Sequence, residues 1–163
     1  CAQCRLLLLL YIPMKVMMNM IHMFLQNRLF RTNAFGNFKD DLVHQIIRDP
    51  AMIKYLNNNQ NNKNSPNENL GRELMELFTL GEGRGYTERD IKEGARTLTG
   101  YTFQDDVFQF VSRNHDNGGK SIFGRAGRWD GHDFVEKRTL PFLARCQQFR
   151  KEARVTRVDV RIS

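Results

Sequence analysis

Glu73 and Glu76 stand three residues apart in residues 66–81, PNENLGRELMELFTLG, and are the pair best suited to chemistry in this chain. At that separation on a helix their side chains can converge, with β-carbons about 5–6 Å apart. Adjacent carboxylates split their protonation equilibria and can divide acid and base roles, as glycoside hydrolysis requires. The same oxygens could serve a metal ion as ligands. Two structural readings compete with these. Arg72 lies four residues from both Glu68 and Glu76, a spacing that builds an exposed charge ladder worth about 0.3–0.5 kcal/mol per pair. Alternatively Arg72 and Glu73 turn inward, hydrogen-bond to loops and hold the frame together. A carboxylate pair alone favours a solvated or structural role over a catalytic one.

The histidines add one further candidate. His115 sits beside Asp116 in a loop, where an imidazole next to a carboxylate can act as base or ligand. Asp116 equally suits capping of the turn before Gly118, the more economical reading. His22 and His44 fall in helical segments without ligand partners at metal-binding spacing, and read as surface or core-edge residues. No metal site and no cofactor follows from the sequence. Gly119-Lys120-Ser121 imitates the end of a phosphate-binding loop, but position 114 is Asn where Gly is required, and a strand rather than a helix is expected next. No Gly-x-Ser-x-Gly elbow or His-Glu-x-x-His motif occurs. Cys1 and Cys4 form a lone Cys-x-x-Cys without a second pair, and Cys146 lies far from both.

The elements that must position these residues are mostly helical. Apolar Met17, Met20, Ile21, Phe24 and Leu25 predict an amphipathic helix over residues 14–31, its Met-rich stripe filling the core. A turn over residues 33–37 leads to a second helix capped by Asn37, with Leu42, Val43, Ile46 and Ile47 facing inward. Asp49-Pro50 predicts a short helix over residues 50–56. The Asn-rich stretch 57–64 reads as a polar loop. Ser65, Pro66 and Glu68 then predict a capping box that opens one helix ending at Gly81. Its inner face holds Leu70, Leu74, Leu77 and Phe78; its outer face holds Asn69, Arg72, Glu73 and Glu76. Thr87 and Asp90 cap a further helix, with Tyr86 and Ile91 as its hydrophobic staple, ending near Gly100. Beyond it, the aromatic-rich residues 103–110 and the turn at Asn117-Gly118-Gly119 predict one small β-hairpin within residues 103–123. The expected fold is a mainly α, multi-helix domain with that single β element.

Several motifs recur in order. They are Gln26-Asn27-Arg28-Leu29-Phe30-Arg31, Ala34-Phe35-Gly36-Asn37-Phe38, Arg48-Asp49-Pro50-Ala51-Met52, the 66–81 segment with Asn67, Glu68, Asn69 and Arg72, and Tyr86-Thr87-Glu88. Thr99-Gly100-Tyr101, His115-Asp116-Asn117-Gly118, Phe123-Gly124 and Asp130-Gly131 follow. Together they resemble a large bacterial family catalogued as domain of unknown function 1800, over residues 25–135. In this resemblance Tyr101 replaces the Trp of a Thr-Gly-Trp element, and His132 stands where an acidic residue is more common. The resemblance implies a largely helical protein, often exported, with no established activity. Two function classes follow: a binding or scaffold component of an exported or cell-surface system, with surface or polysaccharide-related partners, or a hydrolase using Glu73 and Glu76, with His115, on a polysaccharide.

Both flanks depart from the family pattern, giving three expected parts: residues 1–24, 25–135 and 136–163. The upstream Trp-His-x-His-Phe type element is missing, and the last part turns basic and irregular. A truncated or frame-shifted product is the expectation, in keeping with an opening Cys1. The charge agrees. Residues 137–163 carry 8 Lys and Arg against 2 Asp and Glu, whereas residues 1–136 carry 17 against 16. The net +7 therefore belongs to the tail. Scattered Arg without interleaved aromatics argues against a nucleic-acid partner. The longest apolar run, residues 6–12, stops at Pro13 and is too short to span a bilayer.

Overall fold

The computed structural model describes residues 20–33, 42–83 and 85–139. Six helices follow one another among them: α1 Met20–Thr32, α2 Val43–Ile46, α3 Pro50–Tyr55, α4 Asn69–Glu73, α5 Glu88–Thr97 and α6 Gly131–Asp133. Four strands lie between α5 and α6: β1 Tyr101–Gln104, β2 Val107–Phe110, β3 Lys120–Ile122 and β4 Arg125–Gly127. The expected mainly α fold with one hairpin is not what forms. Helix accounts for 53% and strand for 15%, the helices are short, and two separate two-stranded antiparallel sheets are present.

The reason lies in two turns. β1 and β2 pair from Tyr101 opposite Phe110 to Gln104 opposite Val107, which leaves Asp105 and Asp106 as a two-residue loop, both at positive φ. β3 and β4 close in the same way around Phe123 and Gly124, again both at positive φ. Two consecutive left-handed residues match the twist of a hairpin, and Asp tolerates that conformation better than most side chains. Asn117-Gly118-Gly119, the expected hairpin turn, is instead a connection folded by Asp116, whose Oδ1 accepts the Gly118 N–H at 2.8 Å.

Helix α1 is rotated from its expected orientation. Its buried positions are His22, Gln26 and Phe30, while Met20 is 85% and Phe24 67% exposed, with Ile21 and Leu25 also outward. Met17 lies outside the described residues. The polar stripe is drawn inward by two acidic partners. Gln26 Nε2 donates to Asp49 Oδ2 at 2.7 Å, and His22 Nε2 meets Asp106 Oδ1 at 2.5 Å on the β1–β2 turn. Asp49 is buried, and a buried carboxylate needs hydrogen-bond donors, so the Gln26 amide is held inward beside it.

Helices α2 and α3 follow expectation more closely. Leu42, Val43, Ile46 and Ile47 are all buried. Asp49 caps α3 by accepting the Met52 N–H at 3.2 Å, and Pro50 opens it. The expected Asn37 cap lies outside the described residues.

The 66–81 segment is not one α-helix. Ser65 is engaged with Asn62, whose side-chain oxygen accepts the Ser65 N–H at 3.1 Å, so no capping box forms with Glu68. The helix begins at Asn69, with Asn67 Oδ1 accepting the Asn69 N–H at 2.9 Å. From Leu74 to Thr79 it widens into a π-helical turn. The Leu80 N–H reaches the Met75 carbonyl at 2.8 Å, and the Thr79 hydroxyl donates to the Leu74 carbonyl at 2.7 Å, both spanning five residues. The wider turn rotates Met75 into the core and leaves Leu77 exposed, against the expected inner face. A second π turn, Phe134–Thr139, is closed alike by the Thr139 hydroxyl on the Phe134 carbonyl at 2.9 Å.

The Asn-rich stretch is buried rather than a solvated loop. Asn58 is 0% and Asn61 2% exposed. Asn58 Nδ2 donates to the carbonyls of Leu98 and Tyr101, at 3.2 and 3.1 Å. Asn61 Nδ2 donates to the Ala95 carbonyl and to Asn58 Oδ1, both at 3.0 Å, and Asn61 Oδ1 accepts the Asn67 N–H at 2.9 Å. These amides add a donor to carbonyls at the end of α5 and at the first residue of β1, where regular backbone pairing runs out. Asn58→Ala removes the amide donor from the Tyr101 carbonyl and leaves the Leu98 carbonyl with the Tyr101 N–H alone; we expect a loss of about 1–3 kcal/mol in urea unfolding of the full chain.

Candidate functional site

Arg72 organises the 66–81 segment. Its guanidinium donates to Glu68 at 3.2 Å and Glu76 at 3.2 Å on its own helix, and to both oxygens of Glu88 on α5, at 3.1 and 2.7 Å. The bidentate pair with Glu88 raises the Arg72 pKa further above its usual value and lowers that of Glu88. Thr87, one residue earlier, holds the start of α5 by the expected capping box. Its hydroxyl accepts the Asp90 N–H at 3.2 Å, and Asp90 Oδ2 accepts the Thr87 N–H at 2.8 Å. The expected ladder therefore exists, and it also ties α4 to α5. The pairs are exposed to solvent in part or in full, and screening keeps the contribution of each small.

Glu73 lies beside this clamp, half-buried, with Oε2 buried and without a hydrogen-bond partner. Burial first, and then the charge of Glu76, push its carboxyl above the ordinary glutamate range, against the pull of Arg72. The two expected carboxylates are thus near neighbours in unequal surroundings, one tied to Arg72 and one not.

His115 belongs to a different cluster. It is 7% exposed, its Nδ1 donates to the Thr99 carbonyl at 2.9 Å, and its ring packs edge-on to Phe110. The Thr99 hydroxyl accepts the Asp116 N–H at 2.8 Å and donates to the Arg96 carbonyl at 2.7 Å. Arg96 closes the ring through Asp116 Oδ2 at 2.7 Å and Glu93 Oε2 at 2.8 Å. The Arg96 hydrogen bond holds the Asp116 carboxyl below the usual range. Gly100, at φ 80°, lets the chain turn here, and a β-carbon on it would stand 2.6 Å from the Val111 carbonyl oxygen. Lys120 is buried, its ammonium on the Asp116 and Gly118 carbonyls, so it does not face a phosphate. Among the described residues no hydrogen bond or ion pair joins His115 to Glu73 or Glu76.

A third cluster escaped the sequence reading. His44 of α2, His132 of α6 and Glu136 of the second π turn bring their ligand atoms within 4.8 Å of one another. His44 Nε2 lies 2.6 Å from Glu136 Oε1, and the two imidazole rings are 5.0 Å apart. Ninety-two residues separate His44 from Glu136, so spacing gave no sign of it. The visible signal was the helical spacing of four between His132 and Glu136. Tyr101 and the start of α6 hold the site in place: a β-carbon on Gly131 would meet the Tyr101 ring. Burial pushes the Tyr101 hydroxyl up to about 12.

Residues 11–145 match the family described as protein of unknown function (DUF1800). The chain belongs to this family. The DUF1800 match is wider than the 25–135 stretch in which motifs are legible, and it takes in all three clusters. It covers part of the family's length. No curated protein and no solved structure matches the chain. Among the described residues no helix is long and apolar enough to cross a membrane.

The state of Glu73 is testable. A carboxyl whose pKa is raised on folding holds its proton more tightly when folded, so stability falls as pH rises from the ordinary glutamate range through the raised value. Glu73→Gln removes that loss. The variant should melt no lower than wild type at neutral pH, and its advantage should vanish on acidification; thermal melts across that range check both. A variant that melts lower at neutral pH would show that Glu73 has a structural partner.

Proposed function

We propose that this DUF1800 domain is a binding or scaffold component of an exported or cell-surface system, with a surface or polysaccharide-related partner. The observation that carries this reading is the use of the family-signature side chains. Asn67, Glu68, Asn69 and Arg72 are spent on capping, bridging or joining helices, and so are Thr87, Thr99, His115 and Asp116. A signature that maintains shape suits a domain whose product is a surface.

The alternative is a hydrolase in which Glu73 and Glu76 divide acid and base roles. One feature favours it: the raised pKa of Glu73 beside the Arg72-bound Glu76, which is the asymmetry that acid–base catalysis needs. His115 enters that reading only through its Nε2, since its Nδ1 is committed to the Thr99 carbonyl.

Incubation of the full chain with insoluble cell-wall polysaccharide separates the two. The expected result is co-sedimentation without release of reducing ends, unchanged in Glu73→Gln. Release of reducing ends that Glu73→Gln abolishes without lowering the melting temperature would establish the hydrolase instead.

A further inference from the structure

We propose that His44, His132 and Glu136 bind a divalent transition-metal ion of the zinc class. The donor set is two imidazoles and one carboxylate, which suits zinc and its neighbours rather than calcium or magnesium. The site needs neither reading of Glu73.

The geometry is close to what an ion requires. Metal–ligand bonds of about 2.0–2.2 Å place two ligand atoms on one ion about 3–4 Å apart. Here the closest pair, His44 Nε2 and Glu136 Oε1, stands at 2.6 Å, and the full set within 4.8 Å. Converting one arrangement to the other takes side-chain rotations of about an ångström. His132 is exposed and Glu136 partly so, which leaves them free to make that adjustment. His44 is 14% exposed and supplies the fixed point.

The backbone under these side chains is well anchored. Phe134 and Val135, between His132 and Glu136, are fully buried, and the Phe134 ring lies where a β-carbon on Gly94 would meet it. Asp130 accepts the Asp133 N–H at 2.7 Å and so fixes the start of α6. His132 and Glu136, four residues apart, therefore meet α2 from one direction.

His44 is also poorly explained by packing alone. Its Nδ1 is buried without a hydrogen-bond partner, so the ring's hydrogen bond is the one from Nε2 to the Glu136 carboxylate, on the side where the ligand atoms converge. A bound ion supplies the missing reason for two imidazoles and a carboxylate to converge. Three protein ligands leave at least one position open to water or to a donor from a bound molecule, as in sites that act rather than merely staple.

Zinc titration of the full chain against a chromophoric chelator, with cobalt as the visible reporter, tests the site. The expected result is one ion per chain and a cobalt spectrum without thiolate charge-transfer bands. His132→Ala and Glu136→Gln should each weaken binding at least about tenfold, the loss that even outer-shell changes cause. Both substitutions lie at accessible side chains, and circular dichroism confirms that the variants stay folded. Equal affinity in wild type and both variants overturns the site. So does the absence of zinc binding, or a thiolate band that persists in His132→Ala and places the ion on Cys1 and Cys4.

Discussion

Buried amide groups of Asn58 and Asn61 hold this domain in register. They lie just after α3, where the approach to α4, the end of α5 and the start of β1 converge, and their hydrogen bonds reach each of these three. An amide both donates and accepts without carrying charge, so it can satisfy open carbonyls in the interior at little desolvation cost. The Gly100 N–H completes the junction by donating to the Asn61 carbonyl at 3.0 Å. Apolar packing around Leu70, Leu74, Met75, Ile91 and Leu98 supplies the bulk of the stability, while the amides decide how the pieces fit.

Around that junction stand two arginine clamps. Arg72 spans α4 and α5 at one end, and Arg96 joins α5 to the connection before β3 at the other. Acidic residues of α5 extend the second contact to the strands: Asp90 Oδ1 accepts the Phe123 N–H, and Glu93 Oε2 accepts the Ser121 N–H. Helix α5 is thereby the axis to which both the signature segment and the second hairpin are fixed.

What could be read from the sequence followed local rules. Asp49-Pro50, the Thr87–Asp90 box, the buried face of α2 and the Asp116 turn each depend on residues within four positions, where side-chain chemistry acts directly on nearby backbone. The failures arose where distant partners overrode a local pattern. Asp49 and Asp106 turned α1 about its axis, though its apolar stripe was plain. Asn58 and Asn61 looked like loop residues because nothing nearby reveals the carbonyls they serve. Asp105-Asp106 lacks the glycine that usually marks a hairpin, so the first sheet was missed as a separate unit. The candidate site divided in the same way: the Arg72 ladder was legible from its spacing of four, and the His44–His132–Glu136 convergence was not.

The two π turns carry a consequence of their own. Each closes with a threonine hydroxyl on the carbonyl five residues back, Thr79 on Leu74 and Thr139 on Phe134. Such a turn holds roughly one residue more than an α-helical turn, and one residue corresponds to about 100° of helical phase. The chain leaving the first turn, toward α5, therefore points in a direction set by a single supernumerary residue. Length in these segments is angular information. Loss or gain of one residue there would redirect the following chain while leaving composition and hydrophobicity almost untouched.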